Sequence, residues 1–304
     1  MGNSPMVRGG FSHLMFPGLN KVYQMSLASY PEEYTKYLNI EKSTMRQEED
    51  VVIDGFGLVP EKPEGNPPMF DYIKMSNKLQ YLHKTYALGY EVTQELFEDD
   101  QYAVINKATS LLAVAVKQTV DSLAAMVLNN AFATTVYLGV DAKGLCATDH
   151  PLSKAGGTVA NRPATDVDFD PVALQSGLET IETWVDANGL PMMKMPKYVI
   201  SGPLQRDIIT KTLSSDKMPF TNDNEKNALQ EWELQKLILH YLTDPDMWFI
   251  ATQPRDHYLK WFWRIKPSFK NFDDPNTGNA RFVVRFRASS GFTTWQGIYG
   301  STGI

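Results

Sequence analysis

Apolar residues recur at helical intervals through residues 98–133: Ile105, Ala108, Leu112, Val116, Leu123 and Val127 share one face. Neither glycine nor proline interrupts the segment. At ~1.5 Å per residue the predicted helix is roughly 50 Å long, well beyond the globular average of ~11–12 residues. Ala113, Ala115, Ala124 and Ala125 allow close packing along it. Glu98, Asp99 and Asp100 stand at its start, where a helix dipole favours negative charge. The same three carboxylates could hold a divalent cation, but the dipole already accounts for them.

Shorter patterns follow. Residues 171–188 read as a helix with Pro171 in its first turn and Val172, Leu178, Ile181 and Val185 turned inward. Pro196–Ser201 reads as a buried strand and Leu204–Leu213 as a second helix. Leu237–Tyr241 and Trp248–Ala251 are further short strands, an alternation that predicts a compact α/β unit. Residues 256–288 read as an antiparallel hairpin, Tyr258–Ile265 against Arg281–Ala288, with a turn at Asp273–Gly278. Phe292–Tyr299 continues in the same style, and residues 139–170 read as a polar, glycine-containing connector.

Two segments fit no core. Residues 51–93 predict a two-stranded ribbon, Val51–Ile53 against Asp71–Met75, before strand character resumes at Gln80–Thr93. Its tip carries Gly55, Gly57, Pro60, Pro63, Gly65, Pro67 and Pro68, which forbid a helix and weaken a central strand. Such a ribbon is marginal alone and needs something to rest on. Residues 1–50 predict an arm, punctuated at Pro17 and Gly18, with amphipathic pieces at Leu19–Ser29 and Glu32–Leu38. Its aromatics, Phe11, Phe16, Tyr23, Tyr30, Tyr34 and Tyr37, are too many for a lone arm to bury. They dock either on their own domain or on a neighbouring subunit, and both readings stand.

Composition narrows the class. With 304 residues and 43% hydrophobic content the chain can bury a real core. A net charge of −6 gives no basic footprint for an electrostatic DNA binder. One cysteine, Cys146, excludes an internal disulfide framework and suits a reducing cytoplasm. No signal-peptide pattern begins the chain and no run of eighteen apolar residues occurs, so a soluble chain without a membrane segment is expected.

Motifs of chemistry are missing: no glycine-rich phosphate loop, no GxSxG elbow, no HExxH. Cys146 and His150 have tolerable ligand spacing, yet Pro151 follows and no second pair lies near. A metal-dependent hydrolase built on Cys146, Asp149 and His150 is therefore a weak alternative, and no catalytic residue, metal or cofactor is expected. Trp261, Phe262 and Trp263, with Lys260, Arg264 and Lys266 close by, could stack nucleic-acid bases. Strand alternation instead puts Trp261 and Trp263 on one face and Phe262 on the other, as in a sheet core or a subunit contact.

The stretch Glu95-Leu-Phe-Glu-Asp-Asp-Gln-Tyr opening a long helix, then Gly144-Leu-Cys-Ala-Thr-Asp-His-Pro and Ala155-Gly-Gly-Thr, resembles the Mu-like major head subunit family of tailed phages. The closing Arg285-Phe-Arg-Ala suits it too. The resemblance implies an α+β chain of the Hong Kong 97-type capsid fold. Residues 1–50 would be the N-terminal arm and 51–80 the extended E-loop. Residues 81–140 with 256–304 would form the peripheral domain, and 141–255 the connector and axial domain. It further implies a major capsid protein that forms pentamers and hexamers around double-stranded DNA, gripping no sequence, in a virion assembled in the host cytoplasm. Scaffolding, portal and cementing proteins would be its partners; the arm begins near Met1, so scaffolding is expected as a separate protein or a removed segment. Candidate inter-subunit contacts are Phe11, Phe16, Tyr23 and Tyr30 on the arm, and Phe56, Pro60, Pro63, Pro67 and Phe70 on the ribbon. Asp216, Lys217, Asp223, Glu225 and Lys226, in the loop Ser214–Asn227, would lie near the ring axis. Lys62, Lys74 and Lys78 lie in or near the E-loop, but no signature assigns them a covalent crosslink. An encapsulin-like nanocompartment shell and a tube-forming tail or sheath subunit remain the rival readings.

Overall fold

The computed structural model describes residues 11–93, 95–96, 102–217, 219, 226–273 and 279–304. The N-terminal segment is helical over α1, Phe11–Ser29, followed by a 3-10 turn at Tyr34–Lys36. Strands β1 (Asn39–Lys42) and β2 (Gln47–Asp50) lead into the ribbon, and β3 (Leu79–Leu82) and β4 (Lys84–Val92) lead out of it. The spine helix α2 covers Tyr102–Asn129, ~42 Å at ~1.5 Å per residue. The connector carries only the two-residue strands β5 (His150–Pro151) and β6 (Thr158–Val159). Then come α3 (Pro171–Glu182), β7 (Pro196–Ser201), α4 (Arg206–Ser214), β8 (Gln235–Ile238) and β9 (Trp248–Thr252). The long hairpin β10 (Leu259–Asp273) and β11 (Ala280–Phe292) and the short β12 (Ile298–Ser301) close the chain.

Two four-stranded sheets organise these elements. The larger has the order β1-β10-β11-β4, with β1 parallel to β10 and the rest antiparallel. The hairpin is about as long as α2, so helix and hairpin lie side by side and share one core. Ile105, Leu112, Val116, Val120 and Val127 from α2 meet Phe269, Phe282, Val284 and Phe286 from the hairpin. Pro267 is accommodated because the β10–β11 register slips between Trp263 and Ser268, where a ladder donor is not needed. The smaller sheet, β12-β9-β7-β8, packs α3 against Trp248 and Tyr299. Asp170 caps α3 by accepting the Ala173 amide, with Pro171 in the first turn. The last strand departs from the sequence reading: β12 joins the smaller sheet through β9, not the hairpin's sheet.

The arm departs further. The helix runs through Pro17 and Gly18, where a break was expected. A proline inside a helix costs about 3 kcal/mol, so something must offset it. Phe16 and Tyr23, one on each side and seven residues apart, both stack on Phe269 at 5.5 and 5.1 Å. Tyr34 and Tyr37 are buried, and Tyr34 tilts against Trp261. Asp121, buried on α2, accepts the Glu33 and Tyr34 amides and so fixes the 3-10 turn. Glu32 pairs with Lys117 of α2, and Glu33 with His240 of the smaller unit. Of the two open readings, docking on its own subunit describes this segment.

By length and composition α2 is apolar enough to cross a membrane, but half of its most apolar stretch is buried in the protein. Its apolar face is taken up by α1 and the hairpin. The acidic triple Glu98, Asp99 and Asp100 and the turn near residues 274–278 lie outside the described residues.

Candidate functional site

The ribbon between β2 and β3 is the most exposed apolar feature. Its regular ladder is short and lies nearer the body than expected, pairing Gln47–Asp50 with Leu79–Leu82. Beyond it only an isolated bridge joins Ile53 to Met75, with Asp54 N donating to Lys74 O and Ser76 N to Val52 O. The expected pairing of Val51–Ile53 with Asp71–Met75 is thus reduced to one bridge. Further out, the prolines supply no donors and the strands separate. Phe56, Leu58, Met69, Phe70 and Tyr72 are exposed, Val59 to 95% and Phe70 to 89%. Pro60, Pro63 and Pro67 are exposed with them.

Two polar nodes hold the ribbon's root. At the first, Lys260 and Thr293 both donate to Asp50 Oδ2 at 2.6 Å, and the Thr293 hydroxyl is 2.8 Å from Tyr81 Oη. Burial pushes the Asp50 carboxyl up, but Lys260, Thr293 and the Val51 amide outweigh it and hold it below the usual carboxylate range. Phe262 packs on this side against Tyr81 at 5.0 Å, while Trp261 and Trp263 face the opposite core, as alternation requires. All three are buried, so no base-stacking platform is presented. At the second node, Lys154 and Asn188 reach the ribbon from the smaller unit. Sequence reasoning missed both, because a lysine and an asparagine in polar turns carry no pattern.

The other candidate residues separate into buried and exposed groups. Tyr23 is wholly buried and has no surface to give a neighbour, which corrects its assignment as an inter-subunit contact. Phe16 is half-buried against Phe269, and Tyr30 is half-buried beside Tyr241. The Phe11 side chain lies outside the described residues, as do Asp223 and Glu225. At the neck of their loop, Lys217 and Lys226 form an isolated bridge. Asp216 accepts from Gln230 through its side chain and from Asn227 through its carbonyl, and Lys226 pairs with Glu231 on the surface.

The outer face of the larger sheet is locally basic. Inward residues Phe282, Val284, Phe286 and Ala288 leave Arg285 and Arg287 on the opposite face, with Lys270 beside them across the Lys270–Val283 pair. Burial, helped by Arg287 and Arg264, depresses the His83 imidazole against the pull of Glu48. Alternate positions along a strand hid this face within an acidic total.

Cys146, Asp149 and His150 do not converge. His150 is fully enclosed, stacked on Trp295 at 4.9 Å. Its Nδ1 lies 2.7 Å from Asp141 Oδ2 and its Nε2 3.0 Å from Asn161 Oδ1. Asn161 Nδ2 donates to the Leu145 and Ile298 carbonyls, tying the connector to β12. Asp149 pairs instead with Lys143, which holds its carboxyl low. Cys146 is buried, which pushes its thiol well up and leaves it a poor nucleophile. Among the described residues no group of three metal-binding side chains converges.

A long helix laid along a long hairpin, a second α/β unit, a projecting ribbon and an N-terminal arm define the Hong Kong 97-type shell-subunit fold. A family model described as phage capsid protein matches residues 77–301. The chain belongs to that family, and is a shell-forming structural protein of the virion capsid. Similar solved structures show the same fold. The bacteriophage JBD30 procapsid protein is 18% identical, with TM-score 0.57 over 98% of this chain and 77% of that one. The bacteriophage PhiM1 mature capsid protein is 10% identical, with TM-score 0.58 over 89% and 86%. A virus-like particle from Pyrococcus furiosus is 10% identical, with TM-score 0.55 over 94% and 98%. Among curated proteins no sequence matches significantly.

Proposed function

We propose that this is the major capsid protein of a tailed phage, closing as pentamers and hexamers into an icosahedral shell around double-stranded DNA. The observation that carries the reading is the ribbon: large apolar side chains from Phe56 to Tyr72 project with no cover in their own subunit. An exposed apolar surface of this kind marks a contact with another chain. The ribbon between Asp54 and Asp71 holds four acids against one lysine. The basic outer face around Lys270, Arg285 and Arg287 offers a neighbour's ribbon a complementary bed. A head-to-tail contact of this kind is heterologous and closes into rings only at the right rotation. The larger sheet with α2 would be the peripheral unit and the smaller sheet the axial one, with the loop around Asp216, Lys217 and Lys226 near the ring axis.

Its work is done at interfaces without catalysis. Scaffolding, portal and cementing proteins would be its partners, and assembly would take place in the host cytoplasm. The buried His150 and Cys146 are structural groups in this reading. Negative-stain electron microscopy of the purified protein tests it, with closed shells expected. Tubes would favour a tail or sheath subunit, and protein cargo in place of nucleic acid inside phage-derived particles would favour a nanocompartment.

A further inference from the structure

The ribbon has little backbone ladder above its root, so something other than strand pairing must set its direction. The Lys154 ammonium lies between the two strands and binds both. It donates to Gly55 O at 3.0 Å on the outgoing strand and to Tyr72 O at 2.7 Å on the returning one. Asp71 Oδ2 lies 3.7 Å away, and the Tyr72 ring centroid 5.2 Å. The side chain is only 10% exposed. Asp71 itself accepts the Gly57 and Tyr72 amides, so the lysine and the carboxylate together replace the missing ladder. Asn188 adds donations to Gly55 O at 3.1 Å and Phe56 O at 3.4 Å, and nearer the root Ser153 donates its hydroxyl to Asp54 and accepts from Lys74 Nζ through its carbonyl at 2.8 Å.

Both clamp residues belong to one platform on the smaller unit. The Lys154 and Ala155 amides donate to Ala187 O, joining the two turns that carry them. Those turns need left-handed backbone at Gly156, Gly157 and Gly189, with φ of 74°, 84° and 82°. Beneath the ribbon root lies an open cleft of about 250 Å3, bordered by Val52, Asp54, Lys74, Asp141, Leu152 and Trp295. The ribbon is therefore tied to the platform by directed polar contacts and not by close packing. Without those contacts the space beneath it would let the root swing.

We propose that Lys154, seconded by Asn188, is a positioning residue that fastens the ribbon to the smaller unit, so the ribbon's angle follows that unit's orientation. The proposal rests on the ribbon being a shell contact, as argued above. One sequence must serve rings of two sizes, and a ribbon coupled to the axial unit would deliver its tip at the angle each ring requires.

Hydrogen–deuterium exchange on the unassembled subunit tests the clamp without needing a shell. Lys154→Met keeps the stem and removes the charge. It should raise exchange of the Asp54, Gly57, Tyr72 and Ser76 amides about tenfold, while the α2 amides keep their protection. Asn188→Ala should give a smaller rise at the same amides, and Lys154→Arg should restore slow exchange. Unchanged exchange at these four amides would overturn the proposal, and so would a loss of protection spread through α2. In assembly, Lys154→Met should give a broader particle-diameter distribution than wild type and Lys154→Arg a wild-type one; identical distributions would also overturn it. If the wild-type protein forms no shells, the shell reading fails while the exchange comparison still stands.

Discussion

His257 is buried at the entry to β10, its Nδ1 accepting the Leu259 amide and its Nε2 without a partner. Burial, helped by Lys194, lowers its pKa to about 4. A histidine depressed on folding contributes full stability above the unfolded value near ~6.5 and loses it as pH falls toward the folded value. Urea titrations should therefore show stability falling between about pH 6.5 and pH 4, by at most ~1.4 kcal/mol per pH unit from this group. His257→Asn should flatten that slope, and an unchanged slope would assign it elsewhere. Trp261 is the core counterpart: 1% exposed, edge-on to Trp263 and tilted on Tyr34. Trp261→Ala should cost about 3–5 kcal/mol in chemical denaturation. Its inward direction was readable from strand alternation. The condition of His257 was not, because a lone histidine between polar turns carries no period.

Among the elements, the spine helix was the most legible, since seven-residue apolar spacing and an absence of breakers survive any tertiary context. Its observed bounds, Tyr102–Asn129, fall inside the expected 98–133. The arm helix was the least legible, because Pro17 and Gly18 are local arguments against a helix that stacking on Phe269 overrides. The ribbon lies between these cases: its density of proline and glycine announced a projection, but not where the ladder would end. Deleting residues 57–69 should leave a subunit with a near wild-type melting temperature, because the tip adds almost nothing to either core. Sedimentation should find that variant unassembled. Wild-type particle yield would remove the ribbon from the shell contacts.

At the scale of the molecule, the acidic total conceals a division. The ribbon is acidic and apolar, whereas the outer face of the larger sheet gathers Lys270, Arg285 and Arg287. If these surfaces meet between subunits, their attraction is screened, since the Debye length shrinks from about 10 Å at 0.1 M salt to 3 Å at 1 M. Assembly followed by light scattering should slow as salt rises, and Arg285→Glu with Arg287→Glu should slow it at low salt. Salt-independent assembly of wild type would leave the apolar contacts as the only drive.

Local periodicity by itself determined the element types, the long helix, the hairpin, the α/β alternation and a projection that could not be core. The motifs around residues 95–152 pointed to the capsid family that the match over residues 77–301 shows. Only the tertiary structure decided that the arm lies on its own subunit, that β12 joins the smaller sheet, and that Lys154 and Asn188 grip the ribbon. Each of those joins groups far apart in the chain, the nearest being Ile298 against Ala251. Propensity and spacing act over a few residues, whereas such contacts are chosen by which surfaces remain to be buried once the local elements have formed.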